Sequence, residues 1–145
     1  MIRISANTIS RIESHGGRTY PEECCGIMLG TSEGNDQVVE SIIELQNEQD
    51  ENRRRRFFVT PQQYLQAERA AARNKLELLG FYHSHPDHPA APSEFDREHA
   101  LPWFTYVIVS IARGKLNDVT AWVLSDARER FNKKEILIEE EVDGK

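Results

Sequence analysis

Cysteine is scarce in this chain, and long apolar runs are absent. The two cysteines, Cys24 and Cys25, stand side by side among 145 residues, a spacing that strains any bond between them and leaves no second pair to staple the fold. A reducing compartment follows, and the expected location is cytoplasmic. No stretch approaches the roughly 18 apolar residues of a membrane span. The opening Met1-Ile-Arg-Ile-Ser-Ala has no basic stretch followed by a long apolar block, so it does not read as a secretory signal. Basic residues are outnumbered, 18 Lys and Arg against 24 Asp and Glu for a net charge of −6, which argues against general adhesion to nucleic acid or membrane lipid. Glycine (8) and proline (6) are too few for a low-complexity chain. What remains is an ordinary globule of one domain, residues 1–145, expected to bury roughly 68–70% of the surface its unfolded chain exposes.

Hydrophobic spacing and turn signals outline the elements. Ser5 can cap a helix over 5–15 with Ile9 and Ile12 on one side and Gly16-Gly17 as its stop. Cys25 to Gly30 and Gln37 to Leu45, split by a Gly-Asn-Asp turn, read as antiparallel strands. A short strand is expected at 57–59. Thr60-Pro61-Gln62-Gln63 is the clearest helix start, combining a cap, a first-turn proline and a capping-box glutamine. Leu76 to His83 reads as a buried strand, a short helix follows Pro92, and Thr105 to Ala112 reads as a central strand with Asp118 to Leu124 beside it. A last strand or helix is expected over Glu135 to Val142, with residues 136–145 a partly frayed tail. The fold class is α/β, a mixed central sheet flanked by helices. The run Arg53 to Arg56 follows Glu48, Asp50 and Glu51, so it reads either as a balanced solvated loop or as a docking patch for an acidic partner.

The densest chemical signal is Gly80 to Asp96, which holds three of the five histidines. On a strand, His83 and His85 present both imidazoles to one side while Ser84 faces the other. Ser93 and Asp96, three apart at a helix start, share a face and can look back at the histidines. Two neutral imidazoles and a carboxylate suit zinc, and three protein ligands leave a tetrahedral position open for water. Taken alone, Ser93-x-x-Asp96 reads better as a helix cap, and two strand histidines could be a polar edge. His88 reads as a loop residue, His15 and His99 as surface, and Cys24 and Cys25 as small buried hydrophobes.

His83-Ser84-His85-Pro86, the loop Pro86 to Pro92, and Ser93-Glu94-Phe95-Asp96 together resemble the signature of the JAMM, or MPN+, metalloproteases. Glu23, three residues before Gly26 and its apolar strand, matches that family's upstream glutamate, with Glu22 as the neighbour to exclude. The resemblance runs from the first helix to about Leu124 and implies an MPN-like domain with the layer architecture of cytidine deaminases. It implies that His83, His85 and Asp96 bind one zinc per chain with a catalytic water. It also implies that Glu23 is the general base and that Ser93 donates to the oxyanion. The doubled Cys24-Cys25 departs from the single cysteine common before the glycine.

Only a few residues separate Asp96 from the strand at Thr105, which leaves little room for the insertions of eukaryotic-type deubiquitinating members. The chain therefore resembles the compact prokaryotic branch. The implied substrate is a ubiquitin-like sulfur-carrier protein with a Gly-Gly tail, cleaved after the last glycine, the tail entering as an added strand. A ubiquitin-type deconjugating isopeptidase and a non-catalytic MPN scaffold are the alternatives. The zinc nucleoside deaminases need H-x-E with P-C-x-x-C, which this chain lacks. A strand edge near Phe57 or Ile136 could support a homodimer.

Overall fold

The computed structural model describes residues 1–47 and 59–140. In chain order these form β1 (Ile2–Ser5), α1 (Ala6–Thr19), β2 (Cys25–Glu33), β3 (Asp36–Leu45), α2 (Pro61–Arg73), β4 (Glu77–Pro86), α3 (Glu94–His99), β5 (Thr105–Ala112), β6 (Lys115–Leu124), β7 (Phe131–Lys134) and β8 (Ile136–Glu139). The strands make one sheet in the order β7-β6-β5-β4-β2-β3-β1-β8. It is mixed: β4 and β5 run parallel, as do β1 with β3 and β1 with β8, and the remaining pairs are antiparallel. The α/β expectation holds, and no helix among the described residues is long and apolar enough to cross a membrane.

The two edge strands, β7 and β8, are joined by Glu135 alone, so the sheet must curl until its edges nearly meet. Lys134 braces that closure by donating to Gln37 Oε1 of β3 at 2.8 Å and to Thr105 Oγ1 of β5 at 3.2 Å. Helix α1 fills the inside of the curl and touches β1, β3, β4, β5, β6 and β8. Its cluster includes Ile9, Ile12, Met28, Tyr82, Val107, Val109 and Ile111. The other face packs Ile27, Leu29, Phe81, Tyr106 and Leu124 against Ala67, Ala70 and Ala71 of α2. Strand alternation therefore sends Phe81, His83 and His85 towards α2 and α3, while Tyr82 and Ser84 face α1.

Several expectations hold closely. Thr60 and Gln63 form the full capping box of α2, β5 spans the expected Thr105–Ala112, and β2 and β3 pair antiparallel. Others need correction. Ser5 does cap α1, its side chain accepting from the Thr8 amide at 3.1 Å, but the helix does not stop at Gly16-Gly17. It continues to Thr19 because Gly16 is a packing residue: a Cβ there would lie 3.0 Å from Ile111 Cγ1, so its absence lets α1 lie close on β5. His15, just before the glycines, is corrected too. Expected at the surface, His15 is 5% exposed, and its Nδ1 lies 2.7 Å from the Tyr82 hydroxyl. Burial pushes this imidazole below its usual range against the pull of Glu44.

The last element, expected over Glu135 to Val142 as a strand or helix, is a strand: Ile136–Glu139 pairs in parallel with β1 and Arg3 binds Glu139 at 2.8 Å, so the part of the expected frayed tail at 136–139 is ordered. The strand expected at 57–59 and the run Arg53 to Arg56 fall largely or wholly outside the described residues. Of the two edges proposed for a homodimer, Ile136 does lie on an edge strand.

Gly26 is paired with Tyr82 across the β2–β4 ladder, and a Cβ there would fall 2.1–2.3 Å from three atoms of the Tyr82 ring end. That ring is fully buried and tied to His15, so it cannot swing clear. Gly26→Ala is expected to cost about 1–3 kcal/mol by overpacking. Urea unfolding measures this, and an unchanged midpoint would contradict the packing described.

Candidate active site

The site forms where β4 ends and α3 begins. His83 and His85 leave β4 on the same side, as their spacing requires, and are 1% and 6% exposed. Their Nε2 atoms lie 3.2 Å apart. Asp96 Oδ2 lies 3.2 Å from His83 Nε2 and 3.1 Å from His85 Nε2. Asp96 reaches this point through a capping box at the start of α3: Ser93 Oγ accepts the Asp96 N–H at 3.0 Å, and Asp96 Oδ2 accepts the Ser93 N–H at 2.9 Å. Capping and convergence on the histidines are thus one arrangement.

The tautomer of His85 follows from its other nitrogen. Nδ1 is 2.9 Å from the Pro89 carbonyl, which can only accept, so Nδ1 carries a proton. In the neutral ring Nε2 is then a bare lone pair, aimed at the Asp96 carboxylate and at His83 Nε2. His83 is kept towards its neutral form by burial, against the pull of Asp96. Three such atoms held about 3.2 Å apart in a buried place need a shared proton or a cation between them. Ligands of a tetrahedral zinc at about 2.0–2.1 Å lie about 3.3–3.4 Å apart. The donor set therefore fits that ion in both chemistry and spacing.

Glu23 stands on the approach to β2 and is 2% exposed, whereas its neighbour Glu22 is exposed. Its backbone is fixed from β4: the Cys24 N–H donates to Ser84 Oγ at 2.8 Å, and the Ser84 N–H donates to the Cys24 carbonyl at 3.1 Å. The serine between the two histidines thus holds the segment carrying the glutamate, a role the sequence reading did not assign. Glu23 offers a carboxylate oxygen within 4.8 Å of ligand atoms of His83 and His85, so acidic groups flank the histidine pair on two sides. Asp96 Oδ2 stands at 3.1–3.2 Å from both rings, and a Glu23 oxygen within 4.8 Å of them. Glu23 Oε1 has no hydrogen-bond partner among the described residues. Burial, and secondly the Asp96 charge, push Glu23 up to about 10. Burial would raise Asp96 too, but the charge and hydrogen bonds of the two histidines hold it below the usual carboxylate range.

A cleft of about 280 Å³ opens on this group, lined by Glu23, His85, His88, Pro89, Ala91 and Ser93. His88, expected as a loop residue, is exposed on that lining, and His99 is at the surface, stacked on Phe95. Cys24 and Cys25 are both buried, with Cys25 opposite His83 in the ladder. Burial pushes the Cys24 thiol up to about 11, so it is not a thiolate at neutral pH.

Residues 5–125 match the model for prokaryotic homologs of the JAB domain. The chain belongs to this family. This JAB homolog is 30% identical over 129 residues to a probable TtuB-protein conjugate cleaving protease of Thermus thermophilus, covering 89% of the chain and 80% of that protein. It is 32% identical over 91 residues to a desampylase of Haloferax volcanii, 62% of the chain and 63% of that protein. It is also 33% identical over 116 residues to the tail tip assembly protein K of Escherichia phage N15, 77% of the chain, and spans only 42% of that protein's length. A JAB1/MPN domain protein from Archaeoglobus fulgidus has the same fold, with a TM-score of 0.62 at 17% identity over 94% of the chain and 98% of its own. The MPN-like architecture expected from the motif is therefore present.

In the metal-free chain, folded Glu23 keeps its proton up to about 10, against an ordinary 4.5 when unfolded. Between those values the folded state binds a proton that the unfolded state has released, so stability falls as pH rises. Relative to Glu23→Gln, metal-free parent protein should lose up to about 1.4 kcal/mol per pH unit over roughly pH 6 to 8. Denaturant titrations at several pH values test this. Parallel profiles for the two proteins would contradict the buried, unpartnered Glu23.

Proposed function

We propose that this JAB homolog is a zinc-dependent metallopeptidase that hydrolyses the peptide or isopeptide bond after the C-terminal Gly-Gly of a ubiquitin-like sulfur-carrier protein. The observation that carries the reading is the convergence of His83 Nε2, His85 Nε2 and Asp96 Oδ2 within 3.2 Å, with buried Glu23 and Ser93 lining the adjoining cleft. A scaffold with no catalytic task has no need of that costly group of buried polar atoms. The names of the Thermus and Haloferax relatives, which concern cleavage of protein conjugates and desampylation, support the choice of substrate class.

His83, His85 and Asp96 would hold one zinc per chain. When bound, the ion supplies Lewis-acid polarisation of the carbonyl and acidifies water, and its charge favours ionised Glu23. Glu23 takes a proton from the attacking water and delivers it to the leaving nitrogen, general base then general acid on one carboxylate. Ser93 Oγ spends a lone pair on the Asp96 N–H, which leaves its own O–H to donate to the oxyanion. The glycine tail lies in the cleft against Pro89 and Ala91. Both β2 and β4 already have two neighbours, so addition of the tail as a strand needs an edge other than theirs.

The test uses zinc-loaded protein with a Gly-Gly-tailed carrier, presented both as a linear extension and as a lysine conjugate, with products read by mass spectrometry. Release of carrier ending in Gly-Gly is expected. Ser93→Ala should lower the rate by about 10²–10³, Glu23→Gln should remove turnover, and Val at either tail glycine should abolish cleavage. No cleavage of either substrate, or parent-like turnover by Glu23→Gln, would overturn the proposal.

A further inference from the structure

The loop from Pro86 to Pro92 joins the two halves of the ligand set, and its carbonyls are held one after another by side chains. The His88 carbonyl accepts from Ser110 Oγ at 2.5 Å, the Pro89 carbonyl from His85 Nδ1 at 2.9 Å, and the Ala90 carbonyl from Thr120 Oγ1 at 2.5 Å. Thr120 Oγ1 in turn accepts from Trp122 Nε1 at 2.7 Å. Ser110 and Thr120 are 2% and 5% exposed, so their hydroxyls point inward at a loop rather than at water. Ser110 is paired with His85 in the β4–β5 ladder, and Thr120 with Ile108 across β5 and β6, which puts both hydroxyls on the sheet face carrying the histidines. The loop start is pinned as well: the Asp87 N–H donates to the Ile111 carbonyl at 2.8 Å, and the Asp87 carboxylate accepts from the Arg113 N–H at 2.9 Å and from the Tyr20 hydroxyl.

We infer that Ser110 and Thr120 are positioning residues that hold the Pro89 carbonyl against His85 Nδ1 and so set the tautomer in which His85 Nε2 is free to bind the metal. The inference rests on the reading of His85 as a ligand. The physical reason is that a proline-rich loop has few amides with which to fix itself, so two buried hydroxyls from β5 and β6 supply the donors. With the hydroxyls gone the Pro89 carbonyl can turn away, and His85 can move its proton to Nε2, where it blocks ligation. Outer partners of this kind typically change metal affinity by about 10- to 100-fold.

The test compares the parent with Thr120→Val, Ser110→Ala, Trp122→Phe and the hydroxyl-retaining Thr120→Ser. The first readout is the imidazole nitrogen NMR shifts of His85 in metal-free protein, which report the tautomer without any metal or activity. The second is zinc affinity by competition with a chromophoric chelator. In the parent and Thr120→Ser, His85 should be protonated at Nδ1. Thr120→Val and Ser110→Ala should shift the proton towards Nε2 and weaken zinc by about 10- to 100-fold, with a smaller change for Trp122→Phe. An unchanged His85 tautomer and unchanged affinity in folded Thr120→Val and Ser110→Ala would overturn the inference. Failure of the parent to bind zinc while its His85 tautomer still follows Thr120 and Ser110 would overturn the metal reading and leave the strap intact.

Discussion

The close convergence of His83 Nε2, His85 Nε2 and Asp96 Oδ2, which must share a proton or a cation between them, is the constraint around which the chain is organised. Polar atoms stay within 3.2 Å of each other in a buried site when their groups are held in place and positive charge is shared among them. Asp96 is pinned by the capping box with Ser93, and His85 by the Pro89 carbonyl. The rigidity comes from β4, an interior strand bonded to β2 on one side and to β5 on the other. The site is thus preorganised to gather positive charge, and a divalent ion is the simplest group that supplies it to all three atoms at once.

The two faces of the sheet divide the labour. One face holds α1, with Gly16 and Gly26 making room for Ile111 and for Tyr82, and with the buried His15–Tyr82 pair beneath the strand that carries the histidines. The other face holds α2, α3 and the chemistry. Ser84 connects them: it points to the α1 side, yet its hydroxyl fixes the Cys24 amide and so places Glu23 on the cleft. The geometry of the candidate site on one face is thus held by polar contacts on the other. Activity in such a fold should be sensitive to residues that never touch substrate.

How legible was this from the sequence? The α2 start was, because Thr60, Pro61 and Gln63 satisfy the helix terminus locally. So was the pair His83 and His85, since a spacing of two on a strand fixes a common side whatever the rest of the fold does. Signals that depend on distant partners were not. Gly16-Gly17 reads as a stop in isolation, and only the approach of Ile111 makes helical glycine favourable. His15 looked exposed because the partner it packs on, Tyr82, lies on a strand far away in sequence. β7 is only four residues long, and its stability lies in pairing to β6; at β8 the sequence left strand and helix open, and pairing to β1 at the other end of the chain decides for the strand. The partners of Ser110 and Thr120 are backbone carbonyls, which sequence cannot distinguish from one another.

The central claim is that two imidazole nitrogens and one carboxylate oxygen of this chain form a face of a tetrahedral zinc site. X-ray absorption at the zinc edge, on protein loaded with one equivalent, measures this most directly. The account predicts a four-coordinate shell of nitrogen and oxygen at about 2.0–2.1 Å, with the outer scattering of two imidazoles and its reduction to one in His83→Ala. A shell without imidazole scattering, or a spectrum that His83→Ala leaves unchanged, would contradict it.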